Sequence, residues 1–257
     1  MKSPGYNKTH LPLDLAEERQ IIHRDYLAHC LRWSHVIKHC EIGERVLDLG
    51  SADGPMAMAL YTNRYKPELY LGCDIRKAMV EKGREKMKQA PWAQFLEVDL
   101  CKDFERVRAT MTGAPSIITS FEFVEHIPEV EVEPFLVNVK QLMVPETRFF
   151  LSTPCFDGKN KAANHIKEWT YEELKTLLEK HFTIEDHFGT FMSQKDLKRA
   201  FENKDVFAEQ IMGPAGGGDT PSLFHMLHEY YDSNLLAILF APLFASYARN
   251  CIWRLKI

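Results

Sequence analysis

Three short apolar runs that each close on an aspartate constrain this chain most: "RVLDLG" (45–50), "LYLGCDI" (69–75) and "AQFLEVDL" (93–100). Each reads as a buried strand, and helix-forming stretches near 55–64 and 77–88 separate them. The alternation continues through "PSIITSF" (115–121), a helix over about 128–143, "TRFFLSTP" (147–154), a helix from Thr170 to about Lys180, and "FTIEDHFGT" (182–190). Strands and helices that alternate through short loops predict a parallel sheet covered on both faces. Thr170, followed three residues later by Glu173, has the capping-box pattern that fixes where its helix begins.

The flanks are less regular. In residues 11–40, Ile22, Tyr26, Leu27, Leu31, Val36 and Ile37 recur roughly at helical spacing, which predicts one or two amphipathic helices capping the main fold. The stretch "LLAILFAPLFASY" (235–247) is too short to span a bilayer and contains Pro242, so it reads as a packed helix pair broken at the proline. The final "CIWRLKI" alternates and is expected to return as an edge strand. Residues 191–250 also carry the helix-forming "SQKDLKRAFENKDVFAEQI" and the loop "GPAGGGDTP" (213–221), either a solvated connection or a mobile lid.

A length of 257 residues suits one large α/β domain, and a net charge of -4 argues against broad, charge-driven binding to nucleic acid. The six cysteines, Cys30, Cys40, Cys73, Cys101, Cys155 and Cys251, stand singly with no CxxC pair. That spacing predicts reduced thiols in a cytoplasmic setting and no structural zinc. The first twenty residues have neither an apolar core nor a small-residue cleavage site, so they do not read as a secretory signal.

The chemistry begins at "RVLDLGSADGPMAMAL", where Gly50 and Gly54 bracket a turn from strand into helix. Glycines there let backbone pass close to a ligand at the carboxyl ends of the strands. The turn reads Gly50, Ala52, Gly54, so the G-x-G-x-x-G fingerprint of nicotinamide enzymes is missing. Asp48 would repel a pyrophosphate and attract an ammonium group, which suits S-adenosylmethionine (SAM), a donor with an amino group, a ribose diol and no phosphate. Asp74 is placed to accept both ribose hydroxyls, and Asp99 to accept from the adenine amine. Ser51, Ala52, Ile75, Leu100 and Phe121 stand beside these acids as further cofactor-binding candidates.

"VLDLGSADG", "LGCDI" and "VDL" resemble, in order and spacing, the successive motifs of the Rossmann-like (class I) SAM-dependent methyltransferases, over roughly residues 42–190. The resemblance implies a mostly parallel, seven-stranded α/β sheet flanked by helices. It also implies a single methyltransferase domain with an N-terminal helical cap (1–40), a SAM-binding core (41–190), and a helical extension with the closing strand on the substrate side (191–257). Ala52 departs from the glycine usual at its position, and tighter packing against the cofactor, not lost binding, is expected.

"SFEFVEHIPEV" (120–130) follows the fourth strand, which in this fold ends beside the transferable methyl group. If Glu122 to His126 form a helical turn, both carboxylates and the imidazole share a face. Two oxygen ligands and one nitrogen make a partial site for a divalent cation such as Mg²⁺, Mn²⁺ or Zn²⁺. His165, in "NHIKEWTYEELKTLLEKHF", is expected near the same strand ends as a fourth ligand. "FEFVEH", "STP" and "HIKEWT" resemble two groups: bacterial and phage methyltransferases, many linked to sugars or surface glycans, and metal-dependent O-methyltransferases. The second group includes small-RNA 2′-O-methyltransferases with a ligand set of two glutamates and two histidines. Carried across, that set is Glu122, Glu125, His126 and His165, although no separate RNA-binding domain is visible. Three roles stay open for Glu122, Glu125 and His126: holding a metal, moving a proton with His126 as base, or supporting only the turn.

The expected activity is methyl transfer to a hydroxyl of a small molecule or glycan. An N- or C-methyltransferase, with nucleic acid among its acceptors, and a non-catalytic SAM-binding scaffold are the alternatives. His23, His29, Arg32 and Trp33 read first as surface or capping contacts and second as cover for the site's mouth. Tyr230 and Tyr231, with His225 and His228, read as helix packing.

Overall fold

The computed structural model describes residues 24–41, 43–159, 161–202, 227, 229–231 and 233–257. Along the chain lie α1 (Arg24–His39), β1 (Arg45–Leu49), α2 (Pro55–Thr62), β2 (Leu69–Asp74), α3 (Lys77–Lys86), β3 (Ala93–Glu97), α4 (Phe104–Thr110) and β4 (Ile117–Phe121). They are followed by α5 (Glu129–Leu142), β5 (Arg148–Pro154), α6 (Tyr171–Glu179), β6 (Thr183–Phe191), α7 (Gln194–Glu202), α8 (Ser233–Phe240) and β7 (Asn250–Lys256).

The seven strands form one sheet in the order β3-β2-β1-β4-β5-β7-β6. The first five pair in parallel, and β7 runs antiparallel to both β5 and β6. Strand alternation divides the core between the two faces of the sheet. Leu47, Leu49, Ile118, Phe149 and Leu151 pack with Phe104, Val107, Phe135, Leu136 and Leu178 from α4, α5 and α6. Val46, Tyr70, Ile117 and Phe150 pack on the other face with Val36, Met56, Leu60 and Val80 from α1, α2 and α3. Because successive strand residues point to opposite faces, the run "FFL" (149–151) is apolar throughout and "VLDL" (46–49) is interrupted only by Asp48, as a doubly covered sheet requires.

Three expectations change at the carboxyl-terminal end. The last strand is internal: Cys251, Ile252, Trp253 and Leu255 are fully buried, and β6 takes the edge position. Burial on both faces explains why this segment carries Trp253 at its centre. The "APLFASY" half of the predicted helix pair forms two short 3-10 turns, Ala241–Leu243 and Ala245–Tyr247, with Pro242 at the start of the first. Tyr230 is 78% exposed and Tyr231 45% exposed, so neither is a packing residue. His23, His225, His228, Ile22 and the loop 213–221 lie outside the described residues.

The capping box is formed as the sequence predicts: Thr170 Oγ1 accepts from the Glu173 N–H at 3.2 Å, while the Glu173 carboxylate accepts from the Thr170 N–H at 2.8 Å. That pair starts α6 immediately after the loop carrying His165 and Glu168.

Candidate active site

A cavity of about 980 Å³ opens at the carboxyl ends of β1, β2 and β4, the edge at which open α/β sheets take their ligands. That volume is at the upper end for small-molecule sites and leaves room for a donor and an acceptor together. Asp48, Gly50, Ser51, Ala52, Asp74, Ile75, Asp99, Leu100 and Phe121 line it, and so do Glu122, Glu125, His126 and His165. A second cavity of about 540 Å³, between α5 and α6, contains none of these residues.

Gly54 is absent from the lining and serves the fold instead. It begins α2 with a φ of 79°, and a Cβ there would lie 2.6 Å from the ring of Phe95. Gly50, at φ 81°, is a true lining residue, and a Cβ there would lie 2.8 Å from the ring of Phe123. Ala52 also has a left-handed backbone, φ 49°, so its departure from glycine appears as strain on the order of 1 kcal/mol. The loop holds Ala52 there because its N–H donates to Asp74 Oδ2 at 2.9 Å.

The three acids differ in environment. Asp48, 4% exposed, accepts from Tyr70 Oη at 2.5 Å and Thr119 Oγ1 at 2.8 Å, and burial pushes its pKa up to about 6. An ammonium group arriving beside it would relieve that desolvation, so the residue fits a cationic ligand. Asp74, the last residue of β2, accepts from the Arg76 N–H at 2.8 Å and from its guanidinium at 3.0 and 3.1 Å. A ribose diol at Asp74 would compete with Arg76, a lining residue the sequence reading missed. Asp99 lies two residues beyond the observed end of β3; it accepts from the Cys101 N–H at 3.0 Å and faces Lys102 Nζ at 3.4 Å.

Beyond β4, the predicted helical turn from Glu122 to His126 is not continuous. Glu122 has a φ of 53°, and a 3-10 turn spans only Val124–His126. That break separates the two carboxylates. Glu125, His126 and His165 each offer a ligand atom within 4.8 Å of the others, and Glu122 is not in that group. Its carboxylate instead accepts from Ser152 Oγ at 3.0 Å and Asn250 Nδ2 at 2.8 Å, and pairs with Arg32 Nη2 at 3.3 Å.

Glu125 is fully buried. One carboxylate oxygen accepts from Thr153 Oγ1 at 2.9 Å, and the other, Oε1, has no hydrogen-bond partner. Burial first, and then the neighbouring Glu122 charge, hold its carboxyl well above the usual range. Its backbone carbonyl accepts from the Ile166 N–H at 2.7 Å, which ties the His165 loop to the turn. The two imidazoles meet edge to face with centroids 4.8 Å apart. His126 Nδ1 donates to the Asn164 carbonyl at 3.0 Å and His165 Nδ1 to Glu168 Oε1 at 2.5 Å, assigning Nε2 as the free nitrogen on each ring. Burial lowers the pKa of His126.

Of the two readings given for Arg32, a surface or capping contact and cover for the cavity's mouth, the structure agrees with the second. The Arg32 side chain is 3% exposed and, with His29 and Trp33, lines the cavity. The signal was unreadable because Arg32, Glu122 and Asn250 lie in three distant segments, the last two 128 positions apart.

A family model described as a methyltransferase domain matches residues 18–206. No curated protein matches the chain in sequence. Among solved structures, a SAM dependent methyltransferase from Archaeoglobus fulgidus is similar with a TM-score of 0.55 at 18% identity, over 95% of this chain and 99% of that one. N-methyltransferase NodS from Bradyrhizobium japonicum, in complex with S-adenosyl-L-homocysteine, gives a TM-score of 0.53 at 11% identity, over 91% and 86%. Small RNA methyltransferase HEN1 gives 0.56 at 16% identity, over 89% of this chain and 25% of that one. At these identities the structures speak for the fold alone. The family match covers well over half of the sequence, and the chain therefore belongs to the methyltransferase domain family, within the Rossmann-like SAM-dependent methyltransferases.

Proposed function

We propose that this methyltransferase acts on a hydroxyl acceptor, a small molecule or glycan, and that Glu125, His126 and His165 form the acceptor-side centre. The observation that carries this reading is Glu125 Oε1, a buried carboxylate oxygen with no hydrogen-bond partner, beside two imidazoles with tied Nδ1 positions. A buried polar atom left unpaired is costly, and a ligand that satisfies it accounts for its retention. One oxygen donor and two nitrogen donors suit a divalent cation, which when bound would polarise the acceptor hydroxyl and lower its pKa.

SAM supplies an electrophilic methyl on a sulfonium. Asp48 faces its ammonium end, Asp74 its ribose and Asp99 its adenine amine, with Ile75, Leu100 and Phe121 as apolar walls. The acceptor oxygen attacks the methyl carbon, the carbon–sulfur bond breaks to leave S-adenosylhomocysteine, and the hydroxyl proton must leave. With no cation bound, His126 Nε2, positioned by the Asn164 carbonyl, is the base that takes that proton, and its lowered pKa keeps the ring neutral for the purpose. The chain acts as one catalytic domain, its cap at 1–40 and extension at 191–257 shaping the acceptor end. Its six free cysteines, four of them buried, suit a cytoplasmic setting.

Calorimetry with SAM and S-adenosylhomocysteine tests the donor site. Asp74→Ala should weaken binding at least tenfold, since a charged acceptor of two hydroxyls is lost. Binding unchanged in that variant would remove the donor assignment. Turnover of methyl-labelled SAM in host extract, measured with and without chelator and in Glu125→Ala and His165→Ala, tests the acceptor centre. Activity indifferent to all three would leave the cation out of the reaction.

A further inference from the structure

Glu122 stands between two sets of partners. It lines the same cavity as Glu125 and His126, yet its carboxylate is held by Ser152, Asn250 and Arg32. Arg32 is an expensive partner. Its guanidinium is 3% exposed, its Nε is buried without a hydrogen-bond partner, and its Nη1 faces His29 Nδ1 at 2.9 Å. A buried charge this thinly supplied contributes little stability, so a role in placing Glu122 accounts for it better. Glu122 itself has a left-handed φ of 53°, a strained geometry for a residue with a side chain. Arg249, the other arginine at this end of the cavity, is engaged by Asp157 and Asp196 and does not compete for Glu122.

We propose that Arg32 is a positioning residue that sets the ligand number of the acceptor-side centre. Docked on Glu122 from the cap helix α1, it keeps that carboxylate out of the Glu125, His126, His165 group, and a cation held there has three protein ligands. Released, Glu122 joins the group as a fourth. In a four-coordinate, zinc-type site three protein ligands leave one coordination position open for substrate, and a fourth closes it. Docking of the cap thus couples to an open coordination position for the acceptor oxygen. This inference rests on the cation reading above.

The test is Co²⁺ binding to the full chain, without SAM or acceptor, followed by calorimetry and by the visible absorption spectrum, which reports ligand number. Arg32→Met and Asn250→Ala each remove one restraint on Glu122. Each should tighten Co²⁺ binding about tenfold, the scale on which outer partners of metal ligands act, and should shift the spectrum. Arg32→Lys should stay near wild type. Adding Glu122→Gln to either variant should abolish the gain. The proposal is overturned if wild type binds Co²⁺ and neither variant gains, or if the gain persists with Glu122→Gln, since removal of a positive charge would then explain it. Wild type that binds S-adenosylhomocysteine but no Co²⁺ would overturn the cation reading and this inference with it. Asn250→Ala leaves the buried guanidinium in place and carries the test if Arg32→Met does not fold.

Discussion

Lowering the pH should loosen the seam between α1 and the antiparallel edge of the sheet, with His35 as the main responder. Its ring lies against Phe188 at 4.2 Å, His39 at 4.9 Å and Phe150 at 5.5 Å, and its Nε2 is buried without a hydrogen-bond partner. Burial, then His39, Arg254 and Lys38, lower its pKa from 6.5 to about 4, against a raising effect from Asp186. Beside it, His39 accepts from Arg254 Nη1 at 3.0 Å, and Arg254 faces Glu185 and Asp186. A folded pKa below the unfolded one means that the unfolded chain takes up the proton first. Stability from neutral His35 is therefore complete above pH 6.5 and is lost as pH falls toward about 4. The full shift would correspond to roughly 3 kcal/mol, and partial exposure of the ring reduces this to about 1–2 kcal/mol. Urea unfolding at pH 7.5 and 4.5 reads the loss directly. His39, His126 and His187, also lowered, act in the same direction, so His35→Phe isolates the contribution. The variant should lose less stability than wild type over this range. Equal losses in the two proteins would refute the reasoning.

Asp48→Asn should stabilise the ligand-free protein at pH 7.5 by about 1–2 kcal/mol, because a carboxyl raised to about 6 is ionised there at a desolvation cost. The folded pKa lies above the unfolded one, so this destabilisation grows as pH rises and vanishes below 3.8. The same variant should bind S-adenosylhomocysteine more weakly, and a variant less stable than wild type at pH 7.5 would refute the assignment. Thr170→Ala removes the acceptor for the Glu173 N–H and should cost about 1 kcal/mol in urea unfolding. A change below about 0.3 kcal/mol would show that α6 is held by packing alone.

The clustering of the candidate donor-site residues in one cavity was legible because its signals are local. An apolar run, an acid at its end and a turn lie within ten residues, and parallel strands bring their carboxyl ends together wherever the helices fall. Asp48, Asp74 and Asp99 thus reach one cavity with no further information. Gly54 shows the limit of that logic: its spacing is right for a cofactor loop, but Phe95, forty-one positions away, decides its role. β7 shows another limit, since an alternating terminal strand does not encode whether it takes the sheet edge or inserts beside β5.

The acceptor half depends on contacts that no spacing rule reaches. "FEFVEH" places two glutamates three residues apart, and a helical turn would make them equivalent. The left-handed backbone at Glu122 makes them different: one carboxylate turns to Arg32 and Asn250, and the other goes into the interior with Thr153. Sequence identifies the residue types a cation would need, but the positive φ and the partners in α1 and β7 decide which of them face it. The N-terminal cap and the terminal strand therefore meet at Glu122. If the role proposed for Arg32 holds, a chain with the same motifs and no arginine at position 32 presents a different set of ligands from the same six letters.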